Sequence, residues 1–490
     1  MTAPLWHGDA SRKIIKRLVV QGDLWLQTPT HFGNGDSTDL TDMPLLTDAR
    51  DGKTPLLTGA TLAGALRSYL REREQGYGEQ EQDGRASVLL FGGMKEKEDG
   101  AQSPLIVDDA RGENYGVELR EGVRINRVSR TAEHGKLYDA QVWQAGTRFP
   151  LRFELLICEG DDGDALQRAL ATALDGLQNG EIAFGMRKRR GLGAVSVKEW
   201  RAREYDLAKL ADLRAWIETG AEDLTTTARA NIWEALNIAD KTGIADKREC
   251  FEIDATFWLD GSLLIRSQGG KDDTGPDMVY LRARQASGQE MPILSGTSLA
   301  GALRARAEKI VRTLKPGNAD NAVMDLVDGL FGSDMEEIEK CRKNGEEVKA
   351  KASRLRVSEQ ALENAVTNLV QNRVSIDRFT GGALETALFN QQPAFGDGAT
   401  TLRMKLVAQN PSDAEKGLLL LLLKDLWTGD LPLGGESSVG RGRLRGIHAT
   451  LKHKKRDGNT ETWSITEDKE GLHLPAHAKT LNDWAAEVKA

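Results

Sequence analysis

Cysteine is scarce in this 490-residue chain: Cys158, Cys250 and Cys341 are the only three, about ninety residues apart. That spacing is neither a disulfide framework nor a zinc pattern, and it suits buried or incidental thiols in a reducing cytoplasm. Histidine is nearly as rare, at seven residues. His473 and His477 have the HxxxH spacing, but Pro475 between them breaks the helical face that a metal pair needs. There is no HExxH, no CxxC and no GxSxG elbow. The longest strongly apolar run, Leu418 to Leu423, falls far short of the roughly 20 residues that span a bilayer. No apolar segment opens the chain, so no signal peptide is expected. An excess of positive charge is missing too: 66 Lys and Arg stand against 74 Asp and Glu, a net charge of −8. Taken over the whole surface, that balance argues against nucleic acid. At about 150 residues per domain, the length suggests roughly three domains.

What the chain does have is a repeat. Residues 55–67 read PLLTGATLAGALR and residues 292–304 read PILSGTSLAGALR, an offset of 237. Other matches keep their order. Asp42-Met43 recurs as Asp277-Met278, Leu90-Phe91-Gly92 as Leu330-Phe331-Gly332, and Ile125-Asn126-Arg127 as Ile376-Asp377-Arg378. Gly185, Gly191 and Gly193 recur as Gly434, Gly440 and Gly442, all at an offset of 249. Two homologous units follow, residues 1–200 (matching from about 14) and 250–452, joined by a helical linker at 201–249. Residues 333–353 read as an exposed helical insertion in the second unit, and 453–490 as a polar, peripheral extension.

Each unit opens on an alternating strand. An acid-bearing loop follows, then a helix with Thr61 or Ser298 as its expected N-cap, a middle excursion, a late helix, a glycine-rich loop and a last strand. The expected late helices are Ala165 to Leu177 and Leu418 to Trp427. This order predicts an α+β, ferredoxin-like (RRM-like) unit rather than a doubly wound sheet.

The glycine loops do not match a nucleotide-binding loop. Gly435 to Gly440 has GxxxxG spacing, but Arg441-Gly442 follows where Lys and a hydroxyl residue are required. Geometry alone requires only a tight turn with positive φ. The flanking bases add chemistry. Arg187, Lys188, Arg189 and Arg190 precede Gly191, and Arg441 and Arg443 follow Gly440. Guanidinium groups beside a flexible glycine turn, at equivalent places in two units, point to phosphate binding.

The acid loops hold Asp36, Asp39, Asp42, Asp48 and Asp51 in the first unit and Asp272, Asp273 and Asp277 in the second. No EF-hand spacing is present. An Asp in a polar loop makes an Asx-turn or is solvated. Beside a phosphodiester it can help hold a divalent ion or accept a proton. Only Asp42 and Asp277 correspond in place. His31 stands after the first strand, and its counterpart is Leu264, so any role it has belongs to the first unit.

The string HFGNGDSTDLTDMPLLTDARDGKTPLLTGATLAGALR, residues 31–67, resembles the opening of RAMP superfamily proteins. More narrowly, it is similar to the Cas-seven-like backbone subunits of type III CRISPR effector complexes, and the tandem arrangement to the fused subunits of III-D-like systems. The shared features are His31-Phe32-Gly33, Asp42-Met43-Pro44-Leu45-Leu46-Thr47-Asp48, the glycine-helix segment, the ϕ-Phe-Gly and Ile-Asp-Arg segments, and the late glycine loop. Departures exist: Thr58 and Ser295 replace a proline, Ala63 and Ala300 replace a lysine, and Asn126 replaces an aspartate. The second unit lacks the His segment, and the context of Asp277 is degraded.

The resemblance implies subunits stacked along a guide (CRISPR) RNA, each with an inserted β-hairpin thumb, here following Asn126-Arg127 and Asp377-Arg378. It implies metal-dependent cleavage of single-stranded target RNA at spaced sites by Asp42 and Asp277, with Mg or Mn as cofactor. RNA contacts are expected at His31, Arg67, Arg127, Arg304 and Arg378, besides the two glycine loops. The implied partners are other RAMP subunits and a large polymerase-like effector subunit, in the cytoplasm and without a membrane. Two alternatives remain: a non-catalytic RNA-binding scaffold, and a guide-precursor endoribonuclease using His31.

Overall fold

The computed structural model describes residues 13–35, 43–93, 102–127, 129–220, 224–268, 275–344, 349–468, 471–475 and 478–489. In the first unit, β1 (Ile14–Leu26) is one long strand in which Leu18, Val20, Leu24 and Leu26 alternate toward the core. Helix α1 (Gly59–Gln75) buries Leu62, Leu66 and Leu70, a stripe at i, i+4 and i+8. Each such leucine contributes about 1.5–3 kcal/mol by leaving water. Strand β2 (Leu105–Val107) follows, then a long hairpin of β3 (Val117–Ile125) and β4 (Ala132–Trp143). Strand β5 (Arg148–Cys158), helix α2 (Gly163–Gln178) and strand β6 (Val195–Asp206) complete the unit. The sheet order is β2-β5-β1-β6, antiparallel throughout, and α1 and α2 share its core.

Strand β6 runs through the expected boundary at 200, and α3 (Leu210–Thr219) is the linker helix. The linker is not a free spacer, because Ile232, Trp233 and Leu236 sit in the first unit's core.

The second unit repeats the plan. Strand β7 (Cys250–Asp260) buries Phe251, Ile253, Ala255, Phe257 and Leu259 in strict alternation. A short strand β8 (Met278–Tyr280), helix α4 (Gly296–Leu314) and the inserted helix α5 (Met335–Lys343) follow. Then come β9 (Leu355–Val357), a second hairpin of β10 (Gln371–Ile376) and β11 (Ala383–Gln392), β12 (Thr401–Gln409), helix α6 (Asp413–Trp427) and β13 (Arg443–Lys454). The order β9-β12-β7-β13 reproduces the first sheet and is antiparallel. Strand β8 pairs in parallel with β11, at the root of the second hairpin.

Three sequence expectations need correction. The helix N-caps are Thr58 and Ser295, whose hydroxyls accept from the Thr61 and Ser298 amides; the expected caps lie one turn inside. The hairpins do not follow the Asn126-Arg127 and Asp377-Arg378 dipeptides but turn at them. Thr131 O accepts from Asn126 N, and Gly382 O accepts from Asp377 N, both at 2.9 Å. Finally, residues after 452 are not peripheral. Strand β13 continues to Lys454, β14 (Thr460–Asp468) extends the sheet, and α7 (Ala478–Glu487) brings Leu481 and Trp484 into the core. Trp463 and Phe251 pack edge-on against Trp484 at 5.3 and 5.6 Å. Sparse hydrophobicity hid this, because a few large aromatics carry the burial.

Candidate nucleic-acid interface

The two glycine loops are superimposable in their bonding. Met186 N donates to His31 O at 3.1 Å, and Gly435 N donates to Leu264 O at 2.8 Å. Gly193 N donates to Pro29 O at 3.0 Å, and Gly442 N to Ser262 O at 2.7 Å. Gly185 and Gly434 have φ of +76° and +73°, and a Cβ on either would collide with the carbonyl of His31 or Leu264. Glycine is needed here for both conformation and room. Arg187 and Glu436 occupy equivalent left-handed positions, φ 58° and 61°.

What surrounds the loops differs. In the first unit the basic run packs at the seam with the second unit. A Cβ on Gly191 would collide with the Glu359 amide, and one on Gly296, the first residue of α4, with the Arg190 carbonyl. Arg187 lies over the Tyr138 ring, 4.5 Å from its centroid. Burial lowers the Lys188 and Arg189 pKa values, and each is also depressed by a cationic neighbour: Arg189 beside Lys188, and Arg356 of the second unit beside both. Glu72 opposes this. Lys188 and Arg190 keep exposed edges. The run is thus partly an inter-unit joint, with its outer rim still basic.

In the second unit an ionic cluster fills the corresponding space. Arg441, 3% exposed, is held by Glu436 at 2.9 Å and by Gln371 at 2.6 Å. Arg373 reaches Glu436 at 3.0 Å, and Arg266 at 3.5 Å. Burial pushes the Glu436 carboxyl up, but the Gln391 hydrogen bond and the surrounding guanidinium charges outweigh it, so it lies below the usual range. Arg441 is therefore a structural strut. Gly440 faces open space and Arg443 is exposed.

Two further arginines are clasps. Arg67 donates to the Gly92 carbonyl at 3.2 Å and pairs with Glu81 at 2.7 Å. Arg304, 8% exposed, donates to the Gly332 carbonyl and pairs with Asp328. The repeated Leu-Ala-Gly-Ala-Leu-Arg segment thus ties its helix to the following ϕ-Phe-Gly turn, and these two guanidinium groups are spent inside the fold.

The hairpins carry the most exposed apolar surface. On the first, Leu119, Val123, Ile125 and Leu137 are 51%, 42%, 49% and 64% exposed. On the second, Val370, Val374, Ile376 and Leu388 are 40%, 44%, 62% and 72% exposed. The two sets correspond one to one at an offset of 251, the offset of the hairpin tips. Phe379, at the second tip beside the exposed Arg378, is 98% exposed. The opposite face of the first hairpin is docked. Arg120 reaches Glu359 at 3.2 Å, Arg124 reaches Asp334 at 2.9 Å, and Arg127 reaches Glu308 at 2.5 Å, all in the second unit. Arg127 is therefore an inter-unit contact.

Asp277 is exposed at the start of β8. Its Oδ2 accepts from Asn390 N at 2.8 Å, while the Asn390 side-chain oxygen accepts from Asp277 N at 2.6 Å, so the carboxylate is pinned to the hairpin root. Asp42, with Asp36, Asp39, Asp272 and Asp273, lies outside the described residues, as does His477. Of the remaining loop acids, Asp51 forms an Asx-turn with Lys53 N and Thr54 N, and Asp48 is buried against Arg111 at 2.7 Å. Among the described residues no three His, Cys, Asp or Glu side chains cluster as a metal site. Nor is any helix among them long and apolar enough to cross a membrane.

His31, 5% exposed, lines a cleft of about 150 Å³ with Phe32, Leu46, Thr58, Thr61 and Met186. Its Nδ1 lies 2.7 Å from Gln141 O. A carbonyl only accepts, so Nδ1 carries a proton, and Nε2 is the acceptor whenever the ring is neutral.

The RAMP superfamily model matches residues 24–196 and again 269–445, more than half the chain. The chain belongs to the RAMP superfamily. Its two matches coincide with the two structural repeats, and membership supports a CRISPR-associated, RNA-binding function with other subunits as partners. The polyprenol monophosphomannose synthase of Mycolicibacterium smegmatis is also similar, 28% identical over 163 residues. That stretch is 31% of this chain and spans 59% of the enzyme, less than two thirds of its length.

Proposed function

We propose that this RAMP protein is a backbone subunit of a type III, III-D-like CRISPR ribonucleoprotein, made of two ferredoxin-like units that hold guide RNA and present two hairpin thumbs to the guide–target duplex. The observation that carries this reading is the duplicated apolar stripe. Two ribbons project the same four apolar positions into solvent at one offset. A soluble chain has no reason to duplicate exposed leucine and isoleucine unless they meet something apolar. Base faces are such a surface, and apolar wedges unstack base steps at a cost of a few kcal/mol. Sequence choice is then left to base pairing, and the protein needs only backbone grip. That grip comes from the exposed bases Lys188, Arg190 and Arg443.

Cleavage belongs to the same proposal. Asp277 stands at the root of the second thumb, held by Asn390. One carboxylate fits as a single protein ligand to an ion that takes its other oxygens from phosphate and water, the habit of magnesium. When bound, such an ion neutralises charge developing on the phosphate. Asp42 is the counterpart of Asp277 in sequence. The test is to assemble the particle with Asp42→Ala, Asp277→Ala and both, then map target cuts. Each single change should remove one of two spaced cuts. Unchanged cutting by the double variant would sink the catalytic assignment and leave a scaffold. A second reading, processing of guide precursor, draws on the His31 cleft with its acceptor Nε2. Incubating the lone protein with repeat-containing RNA and comparing His31→Ala tests it.

A further inference from the structure

The joint between the two units is a template for what docks on the free end. Three charge contacts hold it, Arg120 with Glu359 nearer the hairpin root and, toward the tip, Arg127 with Glu308 on α4 and Arg124 with Asp334. Among the described residues, no ion pair or hydrogen bond joins the first unit to the same face of the second hairpin, whose root is held only by its own unit, through Arg441 and Gln371. At the hairpin offset of 251, Arg124 becomes Ser375 and Arg127 becomes Arg378, both exposed. At the helix offset of 237, Glu308 becomes Arg71 on α1. A second copy seated on the second hairpin, as the second unit sits on the first, would therefore set Arg378 against Arg71. The attraction at the internal joint becomes repulsion, softened on one side by Glu72, 4.0 Å from the Arg71 guanidinium, and Ser375 supplies nothing further to offset it.

We infer that the free face of the second hairpin takes a different protein unit, one that presents a carboxylate where Glu308 stands, and that the Arg71–Arg378 pair bars the chain from stacking on its own copies. The inference uses only the internal joint and holds whether or not the RNA reading does. It predicts a charge cycle readable by sedimentation velocity at low salt. The wild type and the doubly inverted R71E/R378E chain, each with like charges, stay monomeric. R378E alone and R71E alone, each with opposite charges, self-associate at least about tenfold more tightly, and salt disperses them. Arg378 is at an exposed tip, so R378E keeps the cycle informative even if Arg71→Glu disturbs α1. Head-to-tail polymers of the wild type overturn the inference, and so does a monomeric R378E chain. In the particle purified with its native partners, a photo-crosslinker at Phe379 should join this chain to a different polypeptide. A product between two copies of this chain, or to RNA alone, refutes the partner assignment.

Discussion

Arg304 shows how a side chain that reads as a nucleic-acid contact can instead be a fold element. Its guanidinium is buried between Asp328 and the Gly332 carbonyl. Arg304→Ala leaves a buried carboxylate unpaired, a loss of about 3–5 kcal/mol. Urea denaturation should register it as a fall in the midpoint, with RNA affinity of the folded fraction unchanged. Weaker RNA binding at unaltered stability would restore the original reading. The sequence alone could not separate the two outcomes, since Leu-Ala-Gly-Ala-Leu-Arg is equally a helix stripe ending in a cation. Arg441 is the same case, because Glu436 and Gln371, its partners, are distant or nondescript in the chain. What was legible at this scale was backbone demand: Gly185, Gly193, Gly434 and Gly442 had to be glycines, and they are where the turns close.

At the scale of elements, the repeat made most of the fold readable. Strands β1 and β7 show their alternation, and α1 and α4 start where the repeated segment places them, within a turn. The seam was not readable. Lys188 to Gly191 appear as an open basic loop until the second unit is laid against them, and that contact has no trace in local spacing. The hairpin turns fall at the Asn-Arg and Asp-Arg dipeptides rather than past them for a related reason: register follows from pairing, not from composition. Their apolar stripes give an element-level prediction. Leu137→Ser and Leu388→Ser should leave thermal stability within about 0.5 kcal/mol, since both side chains are already in water. Loading of target onto the assembled particle should fall in each variant, most in the pair. A large loss of stability with normal loading would mean that the stripes are packing surfaces.

For the whole molecule, the two units behave as one body through a clasp that involves the linker. Asp246 pairs with Arg248 at 2.6 Å and with Lys454 of β13 at 2.5 Å, and Arg248 also reaches Glu181 of the first unit. Burial would raise the Asp246 pKa, but the Arg248 hydrogen bond and charge, with Lys454, hold it far below the usual carboxylate range. A depressed carboxyl contributes stability in full above its unfolded pKa and loses it as pH falls toward the folded value. Melting temperature followed downward from about pH 5 to below about pH 3 should therefore decline, and Asp246→Asn should flatten part of that decline. An identical slope in the variant would remove Asp246 from the clasp. The net charge of −8 belongs to this scale as well. With few exposed cations along its RNA-facing edge, the isolated protein should bind single-stranded RNA weakly. A log–log salt slope of only about −2 to −3 is expected, from roughly three to four phosphates neutralised at about −0.7 each. Filter binding across a salt series checks this, and tight binding in physiological salt would contradict it.

The first hairpin lies on the second unit within one chain, and this has a consequence for assembly. Two separate subunits must find each other by collision, at whatever concentration the cell supplies. Here the neighbour is tethered, at an effective concentration of roughly millimolar. The first contact of any larger assembly is therefore complete as soon as the chain has folded. Order and stoichiometry follow from the gene: the two units are always made in equal number and always in the same sequence, and neither can be exchanged for a rival. A cell that makes this chain has given up the freedom to vary the pairing at that point, and gains a step that dilution cannot undo.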